Sequence, residues 1–134
     1  MKKHYVIRGN VIPLLRPRMY RGRSYDEYSH NKSLWLSDLE DQHSEERQFM
    51  GPLTVSARFE LPYPALSSEN TRTKLRGCHV TIFPSIGELA KLLGELSTGI
   101  LFNTDVIIVS MDIQKVFADN CLTHITVSEV HNEK

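Results

Sequence analysis

Two stretches of the chain alternate apolar and polar residues with the period of a β-strand. The first is "HYVIRGN" (4–10), stopped by Gly9-Asn10. The second is "GPLTVSARFELPYP" (51–64), where Leu53, Val55, Ala57 and Phe59 point to one side. Two others carry the helical period. In "NKSLWLSDLEDQHSEERQF" (31–49), Leu36, Leu39 and His43 share a face opposite an acidic one, and Leu34 and Trp35 anchor the start. In "SIGELAKLLGEL" (85–96), Ile86, Leu89, Leu93 and Leu96 form an apolar stripe that Ala90 and Leu92 widen. Between these, "VIPLLRPRMYRGRSY" (11–25) holds Pro13, Pro17 and Gly22 and is expected to be extended or looped. The polar "SSENTRTKLRG" (67–77) reads as an exposed loop, and "CHVTIF" (78–83) as a short strand that meets Pro84. "VIIVSMDIQKVFA" and "LTHITVSEV" read as two strands joined in a hairpin around Asp119-Asn120. The predicted order is β, loop, α, β, β, α, β, β. That order describes one α+β domain over residues 1–134, with two main helices packed on a mixed or antiparallel sheet.

A length of 134 residues suits a single domain with its own core. The formal net charge is zero, so bulk charge recruits neither nucleic acid nor membrane. The charge is unevenly placed. Lys2, Lys3, Arg8, Arg16, Arg18, Arg21 and Arg23 all precede the first acid, Asp26; Glu27, Asp38, Glu40, Asp41, Glu45 and Glu46 then follow with only Lys32 among them. Such a layout produces either a cationic surface beside an acidic helix face or two segments that neutralise each other. "MKKHYVIRGN" has a basic start with no apolar segment behind it, and no apolar run is long enough to span a bilayer. Two cysteines, Cys78 and Cys121, are too few for a disulfide framework and read as reduced thiols. A cytoplasmic location is the expectation.

Candidate chemistry lies in four places. In "FPSIGELAKLL", Ser85 and Glu88 have the S-x-x-E spacing of a capping box: the Ser oxygen takes the amide three residues on, and the Glu reaches back to the cap amide. In "ILFNTDVIIVS" (100–110), Asp105 is an isolated carboxylate ahead of a strand, either a metal ligand or a turn residue. Cys78-His79 with Cys121 and His124 have the residue types of a zinc site. A C-x-x-H spacing within a strand turns the two side chains to opposite faces, so buried or edge-strand roles are expected instead. Finally, Arg16, Arg18, Arg21 and Arg23 interleave with Tyr20 and Tyr25, a pattern suited to phosphates and unpaired bases; Arg72, Lys74 and Arg76 add a second patch.

Taken in order, these pieces resemble the RusA family of Holliday-junction endonucleases nearly end to end. "IPLLRPRMYRGRSY" is similar to that family's N-terminal P-x-x-K-x-R-P-R segment, and "GPLTVSARFELPYP" to the strand before its central loop. His79 sits where many members carry a His before the signature K-P-D-x-D-N-L-x-K, here "FPSIGELAK". "ELSTGILFNTDVIIVSMDIQKVFADN" resembles the family's D-A-L-N-G, then D-D-x-x-V, then a strand ending in Lys and an aromatic. The resemblance implies a homodimer that binds a four-way DNA junction, with carboxylates holding Mg²⁺ to activate water against a phosphodiester. It also implies a lineage common in viruses and prophages.

Carried over position by position, the signature's Lys is Phe83 and its two aspartates are Ser85 and Gly87; the Asn after them is Glu88. The signature's second Lys is Lys91, and Gly94 or Glu95 stands for the helix Asp. Of the later acidic pair, Thr104 and Asp105, only Asp105 is acidic. Asp105 then reads as the remnant of a metal site, and loss of ligands that act as a unit removes most of the rate. The leading expectation is therefore a junction-binding protein without cleavage. One alternative is an active Mg²⁺-dependent endonuclease with Glu88 and Glu95 rebuilt around Asp105, since the two glutamates lie two turns apart on nearly one helix face. Another is a protein-interaction or inhibitor module that reuses the fold.

Overall fold

A computed structural model describes residues 1–9, 18–20, 23–25, 27–64, 66–81 and 85–130, with backbone only for residues 18–20, 23–25, 27–32 and 96. The chain runs through β1 (Lys2–Arg8), the antiparallel pair β2 (Arg18–Tyr20) and β3 (Arg23–Tyr25), and α1 (Glu27–Gln42). Then come β4 (Leu53–Leu61), α2 (Glu69–Leu75), α3 (Ile86–Ser97), β5 (Ile108–Phe117) and β6 (Leu122–Glu129). Four strands form one mixed sheet in the order β1-β6-β4-β5, with β4 and β5 parallel and the other pairings antiparallel. The fold is a small single-domain α+β arrangement with three helices among the described residues. No helix among the described residues is long and apolar enough to cross a membrane.

The alternation of β4 sets the frame. Leu53, Val55, Ala57, Phe59 and Leu61 are buried on one face of the sheet, with Tyr5 and Ile7 of β1 and Ile125 and Val127 of β6 beside them. Trp35 and Leu39 of α1, and Leu89, Leu92 and Leu93 of α3, join the same cluster, so both helices cover this face. Burying such side chains contributes about 1.5–3 kcal/mol each, which makes the helix-covered face the main source of stability. α1 also shields the outer edge of β1. The Gln42 side chain accepts from Val6 N and donates to Val6 O (3.1 and 2.6 Å), and Asp38 accepts from Arg8 N (3.2 Å). These bonds occupy backbone groups that an exposed edge strand would offer to another chain.

Several expectations are corrected. β5 and β6 form no hairpin, because β4 lies between them and pairs with both. Residues 118–121 step across the end of β4 instead, where Ala118 N donates to Leu61 O (3.1 Å). The polar stretch 67–77 contains a helix, not a loop: Ser68 caps α2 by accepting from Thr71 N (3.2 Å). α2 has no buried residue, so the apolar period that announces most helices is absent. The strand expected at 78–83 is, among the described residues, a single bridge from His79 to Val116 flanked by backbone bonds to Phe117 and Lys115. α1 starts earlier than the pattern indicates and stops at Gln42, before His43, because Glu45 takes a left-handed conformation and His43 turns to bond Tyr5 and the Arg47 carbonyl. Leu34 and Trp35 accordingly sit mid-helix, Leu34 exposed and Trp35 in the core.

Candidate functional site

Asp105 stands on a turn between the buried pair Leu101-Phe102 and β5. The turn is fixed by Val106 N donating to Asn103 O (3.1 Å) and by Phe49, which donates to Leu101 O (2.7 Å) and bridges Phe102. Gly51 permits the close approach of the 49–52 segment: a Cβ there would lie 2.8 Å from Val106 Cγ1. Between these segments runs a groove of about 480 Å³ lined by Phe49, Met50, Gly51, Pro52, Asn103, Asp105, Val106, Ile107 and Val109. Asp105 is the one ionisable residue of that lining among the described residues. Its carboxylate is exposed and accepts a long hydrogen bond from Thr104 Oγ1 (3.4 Å).

On α3 the sequence reading is half realised. Ser85 is the N-cap, and its oxygen accepts from Glu88 N (3.2 Å). The return bond from Glu88 is not made: Glu88 Oε2 is buried and has no partner among the described residues. Lys91 and Glu95 lie exposed further along the helix, and neither they nor Glu88 line the Asp105 groove. No three His, Cys, Asp or Glu side chains among the described residues come together as a metal-binding group. A lone exposed carboxylate with a neighbouring hydroxyl does not fit Mg²⁺, a hard cation that prefers several oxygen ligands.

The basic candidates divide. Arg16 and Arg21 lie outside the described residues, and so do the side chains of Arg18 and Arg23, whose backbones form β2 and β3. Arg76, just past α2, is engaged by Asp119 through a two-point contact, Nε to Oδ2 at 3.0 Å and Nη2 to Oδ1 at 3.1 Å. The Tyr63 hydroxyl donates to the same carboxylate (2.9 Å), and Tyr63 together with Arg76 holds Asp119 below the usual carboxylate range. Arg76 therefore ties α2 to the β5–β6 turn. Arg72 lies over the Tyr63 ring, and Lys74 is exposed.

The Cys and His candidates stay apart. Cys78 donates to Lys74 O (3.3 Å), His79 faces solvent, and burial pushes the half-buried Cys121 thiol up. His124 bonds Glu60 and stacks on His4, with ring centres 5.9 Å apart. The sequence pattern alone does not announce that imidazole pair. The signal for it is the alternation of β1 and β6, which sends His4 and His124 to the same face, but only their pairing makes them neighbours. No family model, curated protein or solved structure matches the chain.

Proposed function

We propose that this protein binds branched DNA without cutting it, a RusA-like fold in which the metal-dependent chemistry has been lost. One observation carries the reading: where the resemblance calls for the paired aspartates, Ser85 is engaged as the cap of α3, and Asp105 stands in its groove with no second acid among the described residues. The experiment is binding and cleavage of a labelled four-way junction against a matched linear duplex, with and without Mg²⁺ or Mn²⁺. The expected result is junction-selective binding and intact strands under every metal condition. Metal-dependent cutting, abolished by Asp105→Asn, would replace this reading with an active endonuclease built on Asp105, Glu88 and Glu95.

A second reading, as a protein-interaction module, is favoured by the same groove. It exposes Met50 (67%), Ile107 (69%) and Val109 (55%) side by side, and apolar surface of this kind is commonly buried by another protein. The homodimer implied by the resemblance is one such partner. Sedimentation of the chain and of Ile107→Lys separates the cases: a dimer that falls to monomer in the variant assigns the groove to self-association, and monomers throughout remove that partner.

A further inference from the structure

The helices cover only one face of the sheet. The opposite face is formed by the alternate residues of β1, β6, β4 and β5, and among the described residues none of its side chains joins the core except Val116 at its margin. Its charges are unbalanced. Lys2 and Arg8 project from β1 and Arg58 from β4, all exposed, and none has an ion-pair partner among the described residues. Between them sits the His4–His124 stack, whose outer ring also bonds Thr126 Oγ1 (2.8 Å). Two acids share the face: Glu60, bound to His124, and Asp112 on the edge strand β5.

Resting on the DNA-binding reading, we infer that this uncovered sheet face is the surface that docks the phosphate backbone, with Lys2, Arg8 and Arg58 as its cationic contacts. The spacing suits an extended polyanion. Lys2 and Arg8 are six residues apart on one strand, about 20 Å at ~3.3 Å per residue, and Arg58 lies two strands over, about 10 Å to the side. Duplex DNA presents a charge every ~3.4 Å along each strand, so the three cations reach separate phosphates. A protein partner is disfavoured by the make-up of the face. Val6 is its one exposed large apolar residue, Leu122 is half-buried, and the remainder offers mainly hydroxyls, imidazoles and charges where a protein interface needs apolar anchors. Acids gather elsewhere, on α1 and the turn after it (Glu40, Asp41, Glu45), which lets a chain of zero net charge present a cationic side.

The test is fluorescence anisotropy on labelled four-way junction and linear duplex from 50 to 250 mM salt. The proteins are the intact chain, the single variants Lys2→Gln, Arg8→Gln and Arg58→Gln, their triple combination, Lys3→Gln and Asp112→Asn. Each neutralised phosphate contact contributes about 0.9 to the slope of log K against log salt. The triple variant is therefore expected to lose about 2.7 of that slope, and on the order of 100-fold in affinity near 100 mM salt. Lys3 points to the opposite face of the same strand and pairs with Glu46, so Lys3→Gln is expected to keep the wild-type slope. Asp112→Asn removes an acid from the face and is expected to tighten binding by about two- to threefold, a gain that partial unfolding cannot imitate. A triple variant with the wild-type slope, or an Asp112→Asn variant that binds more weakly, overturns the assignment of this face while leaving DNA binding in place. A wild-type protein that binds neither DNA overturns the function itself, and the assignment with it.

Discussion

Burial holds His43 neutral, and its two hydrogen bonds fix which ring nitrogen carries the proton. Its Nε2 faces the Arg47 carbonyl (3.0 Å), which can only accept, so the ring proton is on Nε2 and Nδ1 accepts from the Tyr5 hydroxyl (2.6 Å). Burial lowers the His43 pKa below its ordinary value, outweighing the opposing pull of the Arg47 carbonyl bond. The unfolded chain therefore binds the proton more readily than the folded one. The stabilisation is complete above the unfolded value of about 6.5 and is lost as pH falls from there toward the lower folded value. Thermal unfolding followed from pH 7.5 to 5 should show Tm declining across that window. Tyr5→Phe leaves buried Nδ1 without its donor and is expected to cost about 1–3 kcal/mol in urea unfolding. Gly51 is a second sensitive position. A methyl group there meets Val106 Cγ1 at 2.8 Å and the Ile107 backbone nitrogen at 3.2 Å, so Gly51→Ala is expected to destabilise by about 1–3 kcal/mol. Asp105→Asn should leave urea unfolding unchanged within about 0.5 kcal/mol, because the carboxylate is exposed and makes one long bond.

At the scale of elements, the two capped helices predict different responses. Ser85→Ala removes the cap of α3, a helix whose Leu89, Leu92 and Leu93 lie in the core, and is expected to cost about 1 kcal/mol of global stability. Ser68→Ala removes the cap of α2, which has no fully buried residue and meets the core through half-buried Leu75, so hydrogen exchange should speed locally over residues 69–76 with little change in the global midpoint. The same contrast explains what the sequence made legible. β4 and α3 announce themselves because each presents a strict apolar face to one core. α2 does not, since its stability is mostly local and its signals are Ser68 at the cap, Glu69 in the first turn and Arg72 and Lys74 in the last. The hairpin expected between β5 and β6 failed for another reason: which strands pair is decided by competition, and β4 can pair with both neighbours at once. The candidate site divides in the same way. The isolation of Asp105 and the capping role of Ser85 are local and could be read from the chain. The cationic sheet face could not, because Arg58 and Arg8 become neighbours only when β6 enters between their strands.

For the whole molecule, zero net charge is a sum over surfaces of opposite character. Lys3–Glu46, Arg47–Glu129 and Arg76–Asp119 neutralise one another on the helix side and at the sheet ends, while Lys2, Arg8 and Arg58 are left on the uncovered face. Binding that depends on such a face should be steeply salt-sensitive although the isoelectric point lies near 7.0. The strand order has a further consequence, in time. β1 reaches the rest of the sheet only through β6, with Lys2 opposite Ser128 and Arg8 opposite Leu122. During synthesis the first strand therefore waits, its ladder unmade, until β6 has left the ribosome. Until then α1 has no β1 edge to shield, and Tyr5 and Ile7 have no closed core to enter. A chain truncated before Leu122 is expected to be cut readily by protease within β1 and between residues 33 and 50, and one that includes β6 to resist there once released, so these segments close in a late, single event.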